Sequence, residues 1–205
     1  MKGAVRRARA WVTSLGLYEL EINGRRVGNQ VFTPGWTSYG KRLQYQTFDV
    51  TGHLRRGENA VGATLGDGWY RGYLHLPGHD RRNTYGEELA LLCQLRVEYE
   101  DGRVEVVGTD ETWKSATGPI RMSDIYLGET YDARLERPGW SEPGFDDEGW
   151  SPVTVVAPGK RALVASVAPP VRRVEDLRPV KILRSPKGLP VFDLGQNLVG
   201  FARLK

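Results

Sequence analysis

Cysteine is almost absent from this sequence, and its few histidines lack metal-binding spacings. The 205 residues include one cysteine, Cys93, so no intrachain disulfide can form. The three histidines have no second cysteine beside them and show no HExxH pattern, which argues against a metal site built from His and Cys ligands. Cys93 alternates with Leu91 and Leu95, which predicts a buried, unreactive thiol on the apolar face of a strand.

The chain also lacks the apolar stretches that membrane insertion and export require. No run approaches the roughly 20 apolar residues that span a bilayer, so we expect no membrane partner. Residues 1–7 read MKGAVRR and lack the apolar core and cleavage site of a signal peptide. We therefore expect a cytoplasmic location, unless an export signal precedes this chain in a longer parent protein.

Positive charge is not concentrated on any one segment, although the net charge is +4 and the isoelectric point about 9.2. A nucleic-acid module clusters its basic residues on one element or interleaves them with aromatics. Here the arginines alternate with acids and fall mostly in turns, which indicates a solvated surface and no nucleic-acid partner. They form the doublets Arg6-Arg7, Arg25-Arg26, Arg55-Arg56, Arg81-Arg82 and Arg172-Arg173.

Alternation of apolar and polar residues is the dominant pattern, and it has the period of half-buried β-strands. Tyr18, Leu20 and Ile22 alternate with acids and lead into Asn23-Gly24, a strong hairpin signal because both residues tolerate positive φ. Residues 89–99 predict the longest strand of the chain. Further strands are predicted at 61–65, at 103–107 after the Asp101-Gly102 turn, and from Trp113 onward.

The fold prediction is all-β, because no segment shows a helical period and turn signals separate the strands. A jelly-roll β-sandwich of the kind found in carbohydrate-binding modules fits this pattern. Composition shifts near residue 157, where Pro and Gly become frequent. We predict a jelly-roll domain at 1–157, then a linker and the start of a second β-sandwich domain at 158–205. The latter has short β segments at 180–184 and 189–192.

Motifs for self-contained catalysis are weak. No GxSxG elbow is present, and Gly66-Asp67-Gly68 is not set in the strand–loop–helix unit that a phosphate loop needs. A glycosidase requires two carboxylates at a fixed separation. Glu129 and Asp132 are the tempting pair, but a spacing of three in a strand puts them on opposite faces. That geometry suits a structural ion pair better.

Tryptophans beside glycines suggest sugar contact, because flat aromatic faces stack on the C–H faces of sugars. The alternative is that these rings fill the ends of the sandwich. We predict sugar binding by rings that stack, by Asp67 as hydroxyl acceptor and by Arg71 as donor. The residues are Trp36, Asp67, Trp69, Tyr70 and Arg71.

Calcium is a possible cofactor, because jelly-roll modules often hold hard cations with loop carboxylates and carbonyls. The alternative for each candidate is an ordinary turn residue. The main candidates are Asp67, Asp124 and Asp132, followed by Asp80 and Asn83.

Seven segments, in order, resemble the N-terminal jelly-roll domain of bacterial α-L-rhamnosidases and the opening of the β-sandwich domain that follows it. Each string alone is weak, but the ordered set covers nearly the whole chain. The segments are Ser14–Gly28 (SLGLYELEINGRRVG), Pro34–Tyr39 (PGWTSY), Tyr45–Thr51 (YQTFDVT), Asn59–Gly72 (NAVGATLGDGWYRG), Gly128–Arg134 (GETYDAR), Phe145–Trp150 (FDDEGW) and Asp193–Gly200 (DLGQNLVG).

The resemblance implies part of an inverting glycoside hydrolase that removes terminal L-rhamnose. In that family the catalytic acids lie on a downstream (α/α)₆ barrel, so they have no counterparts here, and we expect this chain to be inactive alone. The implied role is a non-catalytic accessory module, with a rhamnose-containing glycan and the catalytic domain as partners. Some family members use this jelly roll to bind rhamnose with calcium.

Two alternatives to a sugar-binding module remain open. A purely architectural domain would pack against the barrel and would leave an apolar patch near residues 180–201, through which the isolated chain would dimerise. A complete small hydrolase would release p-nitrophenol from an aryl rhamnoside, and we expect no release.

Overall fold

The structure is a computed structural model that describes residues 1, 3–76, 79–157 and 159–203. For residues 75, 76, 79 and 80 it describes the backbone alone. The chain divides into two compact units. The first consists of Met1–Gly28 and Phe32–Pro169, and the second of Asn29–Val31 and Pro170–Lys205.

The described residues are nearly all in strands, turns and extended segments. One helical turn, α1 (Gly68–Arg71), and 3-10 turns at Thr51–His53 and Ala133–Leu135 interrupt them. The strands are β1 (Val5–Leu15), β2 (Leu17–Ile22), β3 (Arg25–Arg26), β4 (Arg42–Asp49), β5 (Val61–Gly66), β6 (Leu74–Leu76), β7 (His79–Arg81), β8 (Ala90–Tyr99), β9 (Val104–Gly108), β10 (Lys114–Ser115), β11 (Ile120–Asp124), β12 (Gly128–Tyr131), β13 (Ser151–Pro152), β14 (Ala162–Ala165), β15 (Lys181–Arg184) and β16 (Pro190–Asp193).

The larger sheet of the first unit has the strand order β14-β4-β1-β8-β9, with β1 at its centre. Ala10 of β1 lies opposite Phe48 of β4 on one side and Leu95 of β8 on the other, both antiparallel. The prediction that 89–99 forms the longest strand is wrong, because β1 has 11 residues and β8 has 10. The inward residues of the first half of β1 include the small Ala8 and Ala10, which give only a weak apolar alternation with Arg7 and Arg9.

The smaller sheet has the order β3-β2-β5 and confirms the predicted hairpin. Asn23 and Gly24 take φ values of 53° and 73°, the left-handed conformation that a tight turn between twisted strands requires. β5 then pairs along the whole of β2, from Leu17 opposite Gly66 to Ile22 opposite Val61.

The core lies between the two sheets, where alternate residues of β1, β2 and β8 point inward. The chain therefore has the predicted all-β sandwich fold. Each large side chain buried here contributes about 1.5–3 kcal/mol to stability. The buried set is Ala8, Ala10, Val12, Tyr18, Leu20, Ile22, Val27, Phe48, Val50, Cys93, Leu95, Val97 and Tyr99.

The second unit contains the hairpin of β15 and β16, in which Ile182 lies opposite Phe192. The apolar residues expected to be exposed at 180–201 are exposed. The domain boundary at residue 157 stays a prediction. Within this chain, β14 (Ala162–Ala165) pairs with β4 in the larger sheet, so residues up to 169 belong to the first compact unit.

Candidate functional site

Three aromatic side chains of the first unit form a partly exposed cluster, which we name the aromatic surface: Phe32, Trp36 and Trp69. The Trp36 and Trp69 rings are stacked, with centroids 5.9 Å apart and planes 7° from parallel. Phe32 lies 5.9 Å from Trp69 at a tilt of 57°. Trp36 is 42% exposed and Phe32 is 48% exposed, so part of this surface is open to solvent.

Local backbone geometry delivers Trp69 to this surface. Trp69 lies on α1, which begins at Gly68 with φ of 53°. A Cβ at Gly68 would lie 2.5 Å from Cγ of Leu17, so only glycine lets the chain turn this close to β2. Phe32 itself has φ of 58°, a rare conformation for a bulky residue.

A cluster of three tyrosines, two of them buried and one partly buried, packs beside the aromatic surface. The Trp36 indole N–H donates to the Tyr85 hydroxyl at 3.2 Å. The Tyr85 ring lies 4.8 Å from that of Tyr39, which in turn meets Tyr70 edge-on at 5.2 Å. Tyr39 is 1% exposed, and burial raises its pKa well above the usual range. Tyr70 is 4% exposed, so its ring belongs to the packing of this cluster and not to the open surface.

Both carboxylate oxygens of Asp67 accept from arginines. Its Oδ1 accepts from Nε and Nη2 of Arg71 at 2.7 and 2.6 Å, and its Oδ2 accepts from Nη2 of Arg82 at 2.7 Å. The carboxylate is largely buried, with Asp67 9% exposed. The structure thus brings together Asp67, Trp69, Tyr70 and Arg71 around α1, with Trp36 stacked on Trp69, and their role in sugar binding stays a prediction.

The carboxylates predicted to bind calcium do not converge. Asp124 accepts the backbone N–H groups of Tyr73, Tyr126 and Leu127 with its two oxygens. Asp132 pairs with a neighbouring arginine at 2.6 Å. In the part of the chain that the structure describes, no three acidic, His or Cys side chains are grouped for a metal ion.

These observations do not fit calcium, because Asp67, Asp124 and Asp132 are each occupied by protein donors. Asp80 lies outside the residues whose side chains are described. Asn83 takes φ of 62°, the left-handed turn conformation named as the alternative for it. We derive no role that needs calcium.

Two other predictions about single side chains can be compared with the structure. Cys93 is 3% exposed, and burial raises its pKa to about 12, so the predicted buried thiol is confirmed. Asp132 forms an ion pair with Arg134, and such a structural role is the one that its sequence spacing from Glu129 favours over catalysis. Hydrogen bonds from Arg134 hold the pKa of Asp132 below its ordinary value.

Sequence reasoning missed Phe32, Arg82 and Tyr85 as residues of this site. Phe32 is followed by Thr33-Pro34 and carries no local signal of its left-handed backbone. Arg82 and Tyr85 lie 15 and 18 positions after Asp67. They meet Asp67 and α1 only once the chain has folded. The one signal in the sequence is the Arg81-Arg82 doublet, whose setting among turns predicts a solvated surface.

The sequence of this chain is similar to those of known proteins. The family model described as "Alpha-L-rhamnosidase N-terminal domain" matches residues 3–175. An alpha-L-rhamnosidase of Streptomyces avermitilis is 48% identical over 98% of this chain and 19% of its own length. One from Formosa agariphila is 35% identical over 96% of this chain and 21% of its own length.

Solved structures of alpha-L-rhamnosidases are also similar to this chain. The crystal structure of Streptomyces avermitilis alpha-L-rhamnosidase complexed with L-rhamnose matches with a TM-score of 0.88 and 46% identity, over 96% of this chain and 19% of that one. The native enzyme from Aspergillus terreus matches with a TM-score of 0.89 and 44% identity, over 97% and 23%. The chain spans about a fifth of the length of the curated relatives it matches.

Among the described residues, no helix has the length and apolar character needed to cross a membrane. The family model covers most of the chain, and the fold of the chain and the order of its sequence motifs agree with that family. This chain belongs to the alpha-L-rhamnosidase N-terminal domain family.

Proposed function

We propose that this chain is a non-catalytic accessory module of an α-L-rhamnosidase that binds rhamnose-containing glycans through the aromatic surface. One observation carries the proposal: Trp36 is stacked on Trp69 and the residue is still 42% exposed. Leaving an indole partly in water forgoes the stabilisation of its full burial, so an exposed ring stacked on a second one is a feature of binding sites.

The chemistry of a pyranose suits this surface. The C–H groups on one sugar face pack on an indole ring, while hydroxyl groups point to solvent or to polar side chains. The Streptomyces avermitilis relative was crystallised with L-rhamnose, which supports the choice of sugar for this chain. Trp36 contributes the open ring, and Phe32 forms a wall tilted against Trp69.

Isothermal titration calorimetry with L-rhamnose at millimolar concentration tests the proposal, with and without a chelator. We expect heat of binding in the wild type and its loss in Trp36→Ala. Phe192→Ala is the matched control, because it removes a 56% exposed aromatic ring from the second unit. No heat in the wild type at millimolar sugar would falsify sugar binding. Loss of binding in the presence of the chelator would contradict the conclusion that the carboxylates do not fit calcium.

An architectural role is the second candidate, favoured by the exposed apolar side chains of the second unit. A separate, stable domain rarely leaves so many large apolar residues in water. A catalytic domain packed on them is the partner that this role implies. Residues more than half exposed include Val180, Ile182, Leu189, Phe192, Val199 and Phe201.

Light scattering coupled to size exclusion tests the architectural role. We expect the isolated chain to self-associate, and the double variant Ile182→Lys with Phe192→Lys to be monomeric, because these residues lie opposite each other in the β15–β16 hairpin. Val106→Lys is the control, since Val106 is 57% exposed in the first unit. A wild-type chain that stays monomeric at every concentration speaks against this role.

A further inference from the structure

We propose that Asp67 is a positioning residue of the aromatic surface, which holds Trp69 and Trp36 in their stacked arrangement and does not itself bond to sugar. The inference rests on the proposed sugar binding for its functional meaning. It replaces the role of hydroxyl acceptor that the sequence alone suggests for Asp67, and it follows from where the two carboxylate oxygens point.

The first oxygen of Asp67 fixes α1, the turn that carries Trp69. Oδ1 accepts from the Arg71 guanidinium at 2.6 and 2.7 Å, four residues along the chain. The backbone of the same turn closes with Arg71 N–H donating to Asp67 O at 3.2 Å and Gly72 N–H to Gly68 O at 3.1 Å. A single helical turn is unstable by itself, so this ion pair and tertiary packing must hold it.

The second oxygen reaches the segment that holds Trp36. Oδ2 accepts from Arg82 at 2.7 Å. From there the chain returns to α1, with the Asn83 N–H donating to Arg71 O at 3.0 Å. Two residues further on, the hydroxyl of Tyr85 accepts the Trp36 indole N–H at 3.2 Å. One carboxylate therefore connects to both members of the stacked pair, along two separate routes.

The burial and charge of Asp67 favour positioning over sugar contact. A carboxylate that is 9% exposed is tolerated because each oxygen has a guanidinium partner. A sugar hydroxyl that took the place of either arginine would replace an ion pair with a hydrogen bond from an uncharged donor. The rings of the site that are most open to solvent are those of Trp36 and Phe32.

Asp67→Asn tests the proposal, because it keeps the side-chain volume and removes the charge that both arginines need. Two readouts are compared: L-rhamnose affinity by calorimetry, and the circular-dichroism couplet of the two stacked indoles, identified by its loss in Trp36→Phe. We expect binding about tenfold weaker, because a stacked arrangement populated to about a tenth raises the apparent Kd by that factor, together with loss of the couplet. Asp132→Asn, which breaks an equally short Asp–Arg pair elsewhere, is expected to change neither.

The outcomes separate this inference from the proposed function. A wild type that binds no rhamnose defeats sugar binding, while the couplet in Asp67→Asn still decides the positioning role. Weaker binding with an intact couplet means that Asp67 contacts the sugar directly, which overturns the inference. Unchanged binding and an unchanged couplet overturn it as well, as does a wild-type spectrum that Trp36→Phe leaves unaltered.

Milder variants keep the test valid where Asp67→Asn does not fold. Arg82→Gln breaks only the route to Trp36, at a side chain that is 47% exposed. Tyr85→Phe removes only the acceptor of the Trp36 indole N–H. Each is expected to weaken the couplet and the affinity while the unfolding midpoint stays close to that of the wild type. Folded variants with a wild-type couplet contradict the positioning role.

Discussion

Gly68 shows how much of the site depends on a single missing side chain. Its φ of 53° and its approach to β2, where a Cβ would meet Cγ of Leu17 at 2.5 Å, allow α1 to begin directly after β5. Any other residue must either distort the turn or push Leu17 aside. The placement of Trp69 is thus decided one residue earlier, by backbone freedom.

We predict that Gly68→Ala lowers the free energy of unfolding by about 2–3 kcal/mol, since left-handed strain and a steric clash add together. Gly102→Ala is the matched control: its φ is 83°, but nothing lies within 4 Å of the added Cβ, so about 1 kcal/mol of strain is expected alone. Urea denaturation measures both. Equal losses in the two variants would show that contact with Leu17 is unimportant.

The burial of one thiol and two tyrosine hydroxyls makes the stability of the fold decrease at alkaline pH. Burial raises the pKa of Cys93 from its ordinary 9.0 to about 12, and it also raises the pKa values of Tyr18 and Tyr39. Above pH 9 the unfolded thiol loses its proton while the folded one keeps it, so the folded state binds more protons. Stability is therefore full below pH 9 and falls as the pH rises toward 12.

Between pH 9 and 10 we predict that the free energy of unfolding falls by up to about 1.4 kcal/mol through Cys93, measured by denaturant titration at each pH. Cys93→Ala is the control and is expected to make the fall shallower in this window, leaving a smaller fall from Tyr18 and Tyr39, whose side chains are half deprotonated in the unfolded chain at pH 10. A profile that is the same with and without the thiol would rule out Cys93 as the cause.

At the scale of elements, position in the larger sheet decides what a strand contributes. β1 is paired on both sides and sends Ala8, Ala10 and Val12 into the core. β9 is an edge strand whose valines remain in solvent, with Val106 57% exposed. The same residue type therefore has different energetic weight in the two strands, since burial and packing depend on the neighbours.

We predict that Val12→Ala costs about 2 kcal/mol of stability, because it removes buried methyl groups from a side chain that is 0% exposed. Val106→Ala in β9 is expected to cost less than about 0.5 kcal/mol. Thermal and urea unfolding of both variants provide the measurement. A comparable loss at Val106 would indicate that β9 is covered in solution, for example by a second copy.

On the scale of the whole molecule, the two compact units differ in how their backbone is held. The first unit has two sheets around a common core. The second has one hairpin, and residues 173–179 before it are exposed and lie outside any strand. Protease susceptibility follows local opening of the backbone more than the exposure of side chains.

We predict that limited trypsin digestion cuts first after Arg173, in this exposed segment, and leaves the first unit intact. Arg9 serves as an internal control: its side chain is exposed, but its backbone is paired with Asp49 of β4 and Arg96 of β8. Mass spectrometry of the early fragments identifies the sites. Early cleavage at Arg9 would mean that β1 is not the stable centre of the sheet.

Local sequence patterns predicted the β2–β3 hairpin but not β1, the central strand of the larger sheet. The β2–β3 hairpin was predictable because Asn23-Gly24 encodes its turn within two residues. β1 was not predicted, because Ala8 and Ala10 give only a weak apolar alternation with Arg7 and Arg9, and because its pairing with β4 and β8 is set by distant residues. α1 was missed because one turn is too short to show a helical period.

What the sequence alone determined is the all-β class, the family resemblance and the aromatic character of the site, since alternation, turns and motif order are local properties. Only the tertiary structure decided which of those residues face solvent. Tyr70 is buried, Asp67 is bound by Arg71 and Arg82, and Phe32 joins Trp36 and Trp69. Burial and ion pairing are long-range, so they arise only when segments far apart in the chain pack together.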